Sequence, residues 1–414
     1  MTEKTLNFIE RNRKALCTSL QELVRIPTVN PPGDNYAEIV DLLDERCRAL
    51  GMQTRIVPVP ETEAVKVVPH ADAYPRMNLI ARWDVGAKKT VHFNAHFDVV
   101  PVSGKWRSHP FDPQIKGDWL YGRGSDDMKD SIASVLFAVS ALRETGVQPN
   151  FNIECSFTCD EEIGGDLGAG EVVRKGLVNA DYAVNCEGST GLTICNGHHG
   201  VLWLEVTVHG KSAHAAHPDS GLNAFEKTAE LVTALQSLKE EFGKPHRTFK
   251  MPPDIERQPT INIGGVFSGT SGDKINTVPA QLTFSIDRRI PPNERLGQAE
   301  AELRGAIKEA CKNIPDLKVD MKSALRIEPC LVDSDEPLVQ EFSRSVRAIR
   351  RNPVKWAPAG GFTDLHFFVE DGKLPGMGYG PRGEGAHGVN ERVSISDLVK
   401  TTKIYATFMT QAQL

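Results

Sequence analysis

Histidines and carboxylates that could bind metal recur where apolar, strand-like runs of the sequence end. They are His96 and Asp98 in NAHFDVV, Asp126 and Asp127 in GRGSDDMK, Glu161 and Glu162 in FTCDEEIGG, Glu187 in NCEGS and His387 in GEGAHGVNE. Adjacent carboxylates repel one another unless a positive charge lies nearby or water screens them. The set exceeds what one ion needs and suits two cations that share a bridging Asp, and mixed nitrogen and oxygen ligation suits zinc.

Each of these residues also has an ordinary structural explanation. A single His at a strand end is more often a hydrogen-bonded structural residue, and His92 keeps that interpretation. An Asp before a helix is commonly an N-cap, which applies to Asp126 and Asp130. Asp160 is interpreted as structural. These explanations would have to hold separately at five places along the chain, so the ordered recurrence favours a metal site.

Alternating strands and helices in the first part of the chain must position these residues. The pattern predicts helices at 1–25, 35–51, 132–143 and 168–175, and strands at 76–82, 90–96, 151–159 and 182–186. Such alternation indicates an α/β layer with a largely parallel sheet. Open α/β sheets place their sites at the carboxyl ends of strands, which is where the candidate ligands lie.

The pattern changes near Gly200. Strands at 201–209, 260–267, 281–287 and 317–321 and helices at 222–242 and 294–312 form a strand-helix-strand-strand-helix-strand unit, which is ferredoxin-like. Helices at 337–350 and 396–411 follow. The sequence therefore predicts one α/β domain, formed by residues 1–199 and 323–414, that is interrupted by an α+β domain at 200–322.

Composition excludes several classes of protein. The chain has 414 residues, 40% hydrophobic and 25% charged, and a net charge of −6, which argues against a nucleic-acid-binding surface. No apolar run approaches the roughly 20 residues that span a bilayer, and the charged N-terminus is unlike a secretory signal. Eight cysteines without a C-x-x-C pair favour neither a disulfide framework nor a zinc ribbon, so we expect a cytoplasmic protein.

Taken together, the motifs resemble a known family. HFD, W-x-x-H-P-F (Trp106 to Phe111), LYGRGSDDMK, DEEIGG, CEGS and AHGVNE occur in the order found in the acetylornithine deacetylase / succinyl-diaminopimelate desuccinylase family of dinuclear zinc metallopeptidases. That family also contains aminoacylases, glutamate carboxypeptidases and dipeptidases. The resemblance covers nearly the whole chain. It implies a zinc-peptidase-like catalytic domain, with a mixed sheet between helices, and an inserted ferredoxin-like domain that serves as lid and dimerisation domain.

The resemblance also implies a role for each candidate ligand. His96 and Glu187 would hold one Zn²⁺, Glu162 and His387 the other, and Asp127 would bridge both. Glu161 would be the general base, and Asp98 would orient the His96 imidazole. A cis peptide bond would follow Asp127. Co²⁺ or Mn²⁺ are alternative metals, and a mononuclear site is another alternative, since ligand type does not fix metal identity.

The inserted domain carries a second set of residues that the resemblance singles out. In GKSAHAAHPDSGLNA, His214 would reach a partner's active site across a dimer and stabilise the oxyanion, whereas His217 and Lys211 are interpreted as surface residues. Asn276 and Arg289 would bind a substrate carboxylate, with Arg288 as the alternative to Arg289. Gly361 in AGGFTD would close the other side of the pocket.

These roles predict hydrolysis of the amide bond of an N-acyl amino acid, N-acetyl or N-succinyl, to a carboxylic acid and a free amino acid. Glu rather than Asp at position 187 favours the deacetylase/desuccinylase branch. A dipeptidase or glutamate-type carboxypeptidase with the same metal chemistry is the alternative. A binding protein that keeps the fold without metal is a more remote one. The segment 58–75 receives no interpretation.

Overall fold

The chain folds into two compact units. The computed structural model describes residues 2–68, 71–188, 191–251, 255–269 and 274–414. The first unit comprises Met1–Gly197, Leu331–Ala357 and Thr363–Leu414, and the second comprises His198–Cys330 and Pro358–Phe362. The second unit extends past the predicted boundary at 322, because its last strand continues to Ile327.

Eleven α-helices and twenty-two strands lie in the described residues. The helices are α1 (Thr2–Arg11), α2 (Arg13–Arg25), α3 (Tyr36–Ala49), α4 (Glu61–Val67), α5 (Lys129–Thr145), α6 (Ala169–Arg174), α7 (Ala224–Ala234), α8 (Gln236–Phe242), α9 (Leu296–Asn313), α10 (Pro337–Arg350) and α11 (Ile395–Gln411). The strands are β1 (Gln53–Pro58), β2 (Met77–Trp83), β3 (Thr90–His96), β4 (Gln114–Lys116), β5 (Trp119–Tyr121), β6 (Asn152–Thr158), β7 (Tyr182–Asn185), β8 (Thr193–Ile194), β9 (Gly197–His198), β10 (Gly200–His209), β11 (Ala213–His214), β12 (Phe249–Met251), β13 (Ile255–Arg257), β14 (Thr260–Gly269), β15 (Thr277–Val278), β16 (Gln281–Ile290), β17 (Lys318–Ile327), β18 (Cys330–Leu331), β19 (Lys355–Trp356), β20 (Gly376–Gly378), β21 (Gly383–Glu384) and β22 (Arg392–Ser394).

A six-stranded mixed sheet organises the first unit. Its order is β1-β2-β6-β3-β7-β20, with β6, β3, β7 and β20 parallel and the β1 and β2 edge antiparallel. Strands β3 and β6 are buried along their whole length. Helices α5 and α11 cover one face, where Phe93 packs against Tyr405 and Phe408, and α6 covers the other. The expected mixed sheet between helices is confirmed.

The second unit has the ferredoxin-like topology. Its antiparallel sheet has the order β14-β16-β10-β17, which corresponds to strands two, three, one and four of the unit. Alternate residues of β10, from Leu202 to Val208, point into a core formed with helices α7 and α9. Trp203 faces the opposite side of the sheet and is partly exposed. This alternation is the expected pattern of a sheet with one face buried.

Four expectations from the sequence need correction or completion. The helix predicted at 222–242 is divided at Leu235 into α7 and α8. Residues 1–25 form two helices rather than one, since Asn12 leaves helical geometry and its side chain donates to the Phe8 carbonyl at 2.8 Å. Neither Asp126 nor Asp130 is an N-cap, because Met128 precedes the first residue of α5. The uninterpreted segment 58–75 contains α4, which leads from β1 toward β2; Pro69 and His70 lie outside the described residues.

None of the eight cysteines forms a disulfide in the described part of the chain, and seven of them are buried. Their place in the structure is that of core residues, as expected for Cys155 and Cys159, and a cytoplasmic location stays a prediction. Among the helices described, none is both long and apolar enough to cross a membrane.

Candidate metal centre

Three neighbouring parallel strands end at the same edge of the sheet and carry most of the candidate ligands. Strand β3 ends at His96, and Glu187 lies two residues after β7. Strand β6 ends at Thr158, after which Glu161 and Glu162 lie in a short 3₁₀ turn. The strand has therefore ended before the two glutamates, so the alternation of a strand does not force their side chains to opposite faces. Both glutamate side chains can therefore face one site.

Asp127 connects two groups of potential ligands. Its Oδ1 lies 3.2 Å from His96 Nε2, and its Oδ2 lies 3.1 Å from His387 Nε2. His96, Asp127 and Glu187 form one group, and Asp127, Glu162 and His387 form the other; in each, one ligand atom per residue lies within 4.8 Å of the others. These are the two sets that the resemblance assigns to two ions sharing Asp127.

His387 reaches the site from a loop near the end of the chain. Its Nε2 lies 3.0 Å from Glu162 Oε2 as well as close to Asp127. Its backbone has a positive φ of 60°, and its side chain is about half exposed. The second group therefore faces solvent more than the first, in which His96 is buried. The peptide bond between Asp127 and Met128 is cis, as the resemblance implies.

The electrostatics of these residues fit two divalent cations. Burial raises the pKa of Glu162 to about 7, with a further contribution from the charge of Asp127. Burial and the charge of Asp127 also raise the pKa of Glu187 well above its usual value. No donor among the described residues faces the buried Oε1 of Glu162. Cations would offset this repulsion, and each group combines one imidazole with carboxylates, a ligand set that suits zinc.

Glu161 lies beside the two groups without belonging to either. Its buried carboxylate has Oε2 at 3.9 Å from His96 Nε2. Burial raises the pKa of Glu161 well above the usual range, and the charge of Glu187 raises it further. A carboxylate that lies next to a metal group can accept a proton from a water molecule and release it again. This is the position that a general base requires.

Asp98 holds both the imidazole and the glutamate turn. Its backbone carbonyl lies 3.1 Å from His96 Nδ1 and its carboxylate 3.4 Å, so both face the nitrogen that points away from Asp127. The carboxylate also accepts the backbone N–H groups of Glu161 and Glu162 at 3.2 Å each. Asn30 donates to the same carboxylate at 2.9 Å. The sequence suggested only the contact with His96; the bonds to the turn had no local signal.

Asp160 is a structural residue that holds the backbone next to the candidate site. It is buried in the left-handed backbone region, with a φ of 63°. Its carboxylate accepts hydrogen bonds from Asn30 Nδ2 at 3.1 Å, Tyr36 Oη at 2.8 Å and Arg76 Nε at 3.0 Å. These bonds fix the residue that immediately precedes Glu161.

Glu391 is a residue of the site that the sequence analysis missed. Its Oε1 accepts the backbone N–H groups of Asp126 at 2.9 Å and Asp127 at 3.2 Å. Its Oε2 accepts from Arg123 Nη1 at 2.5 Å, and Arg123 also donates to the His387 carbonyl at 3.3 Å. Glu391 ends the AHGVNE motif and Arg123 lies within GRG, so the motifs contained both residues without indicating their contact.

The second unit holds the other sequence-predicted residues. His214 and Asn276 lie near each other at one end of the β11 and β15 pair, where the Ala215 N–H donates to the Asn276 carbonyl at 2.9 Å. Both side chains are exposed. His214 Nδ1 accepts the Ala216 N–H at 3.0 Å, which leaves its Nε2 as the donor of the neutral ring. His217 and Lys211 are exposed, in accord with their interpretation as surface residues.

The structure separates the two neighbouring arginines. Arg288 is buried, where it donates to the Ala299 carbonyl and to Glu294, each at 2.9 Å, and stacks over Phe242. Arg289 lies on the opposite side of β16 with a partly exposed side chain, and Asp287 accepts two hydrogen bonds from it at 2.9 Å. Arg289 is therefore the arginine that remains accessible to a ligand.

Gly361 lies in the short segment 358–362 of the second unit. This segment contacts the residue that precedes β10, because the His199 N–H donates to the Ala359 carbonyl at 3.0 Å. Gly361 is exposed, and a Cβ at this position would meet no atom within 4 Å.

Comparison with known proteins identifies the family. A metallohydrolase of uncharacterised function from Methanocaldococcus jannaschii is 27% identical over 412 residues, covering 93% of this chain and 96% of that protein. A succinyl-diaminopimelate desuccinylase from Polynucleobacter necessarius is 28% identical over 386 residues, covering 90% and 93%. The fold resembles that of the dipeptidase Dug1p from Saccharomyces cerevisiae, with a TM-score of 0.80, 16% identity and coverage of 99% and 98%. The model of peptidase family M20/M25/M40 matches residues 92–411. The chain therefore belongs to peptidase family M20/M25/M40 and is a metal-dependent hydrolase of amide bonds.

Proposed function

We propose that the protein is a dinuclear zinc amidohydrolase that cleaves the amide bond of an N-acyl amino acid. The observation that carries this proposal is the placement of Asp127 between two three-residue ligand groups, with Glu161 beside them but outside both. A carboxylate shared by two imidazole-carboxylate groups fits a pair of divalent cations. The free carboxylate supplies the proton acceptor that hydrolysis needs.

Different residues of the site can serve different steps of the hydrolysis. Two bound divalent cations would polarise the scissile carbonyl and acidify a water molecule. Glu161 accepts the proton of that water and then delivers it to the nitrogen of the leaving amine, acting as base and then as acid. Asp98 keeps the backbone of the glutamate turn in place during this transfer. The products are a carboxylic acid and a free amino acid.

Arg289 and Asn276 support a substrate with a free carboxylate. Both lie on the second unit with accessible side chains, and a guanidinium binds a carboxylate through two parallel hydrogen bonds. The similarity to a desuccinylase and the Glu at position 187 favour an N-acetyl or N-succinyl amino acid. A dipeptide is the second candidate, since it presents the same amide and carboxylate groups.

The experiment is a substrate panel on purified protein whose metal content has first been measured. N-acetyl and N-succinyl amino acids and dipeptides would be incubated with added Zn²⁺, Co²⁺ or Mn²⁺, and the released amine quantified. The Glu161→Ala variant, prepared identically, controls for contaminating hydrolases. Preferred cleavage of acylated amino acids supports the proposal. Preferred cleavage of dipeptides would show that dipeptides, not N-acyl amino acids, are the substrate class. Absence of any amide cleavage by the metal-loaded protein rejects the function.

We further propose that the second unit dimerises and supplies His214 to the partner's site. Strand β14 is an edge of its sheet, and Val266 and Phe267 on it are 72% and 73% exposed, which suits pairing with a second copy. Analytical ultracentrifugation of the protein and of a Val266→Ser, Phe267→Ser variant tests the dimer. Mixing the inactive Glu161→Ala and His214→Ala proteins tests the exchange, since a mixed dimer would regain one complete site. A monomer, or a mixture that stays inactive although mixed dimers form, would reject it.

A further inference from the structure

A row of polar side chains crosses the buried interior of the central sheet. Neighbouring parallel strands β3 and β6 place three residue pairs side by side on one face: His92 with Glu154, Asn94 with Ser156, and His96 with Thr158. All six side chains are buried. Central parallel strands are usually apolar on both faces, so a polar row here is unusual. It begins with the structural histidine of the sequence analysis and ends at the candidate metal centre.

The row is hydrogen-bonded along its length. His92 Nε2 lies 2.7 Å from Ser156 Oγ. The amide Nδ2 of Asn94 donates to Ser156 Oγ and to Thr158 Oγ1, each at 3.0 Å. The Thr158 hydroxyl in turn donates to Asp364 Oδ2 at 3.3 Å. Asp364 therefore ends the row on the side of the candidate metal centre.

Asp364 is buried and only partly satisfied. It is 1% exposed, and no donor among the described residues faces its Oδ1. Gly165 makes room for it, since a Cβ on that glycine would lie 2.4 Å from Asp364 Oδ1. The charge of Asp364 contributes to the raised pKa of both Glu161 and Glu187, so its carboxylate lies within electrostatic reach of the candidate base and of one candidate ligand.

Asn185 lies beside the row on the neighbouring strand and contacts the same ligand. It is the direct partner of Asn94 across β3 and β7, and its Nδ2 donates to Glu187 Oε2 at 3.3 Å. The Oδ1 atoms of Asn94 and Asn185 are also buried without a donor in the described part of the chain. Each such group costs about 1–3 kcal/mol. Polar groups that stay in a core at this cost are characteristic of functional sites.

We propose that Asp364 is a positioning residue of the metal centre: through Thr158 and Asn94 it fixes the strand beside Asn185, whose side chain holds the Glu187 carboxylate toward its cation. The hydrogen-bonded row fixes Asn94 next to Asn185, which donates to Glu187, and the Asp364 carboxyl, whose pKa burial raises to about 7, lies within electrostatic reach of Glu187. The inference rests on the proposed metal centre and is independent of the substrate.

The test is a metal titration of full-length protein that has been stripped of metal, using Zn²⁺ in competition with a chelating dye. Asp364→Asn keeps the size and shape of the side chain but removes its charge. We expect it to weaken one of the two Zn²⁺ sites about 10- to 100-fold, the usual effect of losing a residue that supports a ligand. The visible spectrum of the Co²⁺-loaded protein should change as well, and kcat should fall with little change in KM.

Two further variants keep the result interpretable. Thr158→Val removes the hydroxyl that donates to Asp364 and should weaken Zn²⁺ binding at the same site to a smaller degree. If Asp364→Asn does not fold, the Zn²⁺ affinity of Thr158→Val tests the inference instead. Thr402→Val is the matched control, because Thr402 is equally buried but bonds only the Leu398 carbonyl of its own helix at 2.8 Å, and it should leave both sites unchanged.

Unchanged Zn²⁺ affinity and an unchanged Co²⁺ spectrum in Asp364→Asn would overturn the inference. So would an equal loss of both sites that parallels a loss of folded protein, since this would mark a purely structural role. Titration of the unaltered protein separates this result from failure of the proposed function: two bound metals with an insensitive Asp364 reject the inference alone.

Discussion

Arg76 and Asp160 form a buried ion pair, with Arg76 Nε donating to Asp160 Oδ2 at 3.0 Å and the side chains only 0% and 2% exposed. Arg76 also donates to the Pro32 carbonyl at 2.7 Å. The pair lies one residue before Glu161, so the buried charge of Arg76 stabilises the start of the turn that carries both glutamates. The residue that follows the uninterpreted segment 58–75 thus supports the candidate site.

Arg76→Met should destabilise the protein by about 3–5 kcal/mol, because it leaves the buried carboxylate of Asp160 without its cation. Metal affinity should fall as well, since the turn with Glu162 loses its support. Urea denaturation and Zn²⁺ titration measure the two effects. Arg350→Met is the control: Arg350 forms a similarly buried pair with Asp397 at 2.7 Å, and its other hydrogen bonds go to Tyr379 and Thr401, so stability should fall and metal affinity should stay. Equal loss of affinity in both variants would contradict the prediction.

Glu161→Ala and Glu162→Ala should separate chemistry from metal binding. Glu161 belongs to neither ligand group, so its removal should keep metal content and lower kcat by at least about 10²- to 10⁴-fold, the range for loss of a general base. Glu162→Ala removes a ligand and should lose metal as well as activity. Metal analysis by mass spectrometry together with kinetics checks both. A Glu161→Ala protein that keeps its full activity would exclude it as the base.

Glu391→Ala should weaken metal binding although Glu391 is not a ligand. Its Oε1 accepts the backbone N–H groups of Asp126 and Asp127, and removing it leaves the shared ligand Asp127 less constrained. Because Asp127 belongs to both ligand groups, we expect the affinity for both ions to fall about 10- to 100-fold. Glu391→Gln retains an oxygen acceptor and should lose less. Selective loss of a single ion would disagree with this explanation.

His214→Ala should lower kcat about 10²- to 10³-fold if its Nε2 stabilises the oxyanion. The neighbouring His217 provides the comparison, since it is equally exposed and His217→Ala should leave kcat unchanged. Neither variant should alter metal content, because both residues lie in the second unit. Steady-state kinetics on the best substrate of the panel checks the pair. Similar kinetics for the two variants would remove the proposed role of His214.

Arg289→Met should raise KM for substrates with a free carboxylate while leaving stability nearly unchanged, since the guanidinium is partly exposed. Arg288→Met should do the opposite. Its guanidinium is buried against Glu294 and Phe242, so we expect about 3–5 kcal/mol of destabilisation with an unchanged KM in the folded protein. An amidated substrate that lacks the carboxylate should be insensitive to Arg289→Met. Kinetics and thermal unfolding of both variants distinguish the roles.

The elements that carry the candidate ligands were predictable because their signals are local. The apolar runs before His96 and Glu161 indicate strands by composition, and the helix predicted at 337–350 has the bounds of α10 in the structure. The residues that hold the ligands were not predictable in the same way. Asp98 and Arg76 act through contacts with residues 63 to 84 positions away along the chain, which leave no periodicity in the sequence. The roles of the ligands themselves stay predictions until metal binding is measured.

The polar row under the site shows a second reason why the residues that support the ligands are harder to predict than the ligands themselves. Asn94, Ser156 and Thr158 lie within runs that are otherwise typical of buried strands, so the sequence favours a core interpretation for them. Only the register between β3 and β6 brings their side chains into one line. Pairing of strands from separate parts of the chain is a property of the fold, and a single sequence does not reveal it.

The insertion of the second unit between the two parts of the first has a consequence for synthesis. His96, Asp127 and Glu187 leave the ribosome within the first 187 residues, whereas His387 emerges only after the whole second unit has been made. Glu391, which holds the Asp127 backbone, emerges later still. A nascent chain thus carries all three candidate ligands of one group, and two of the three of the other, long before His387 completes the second group.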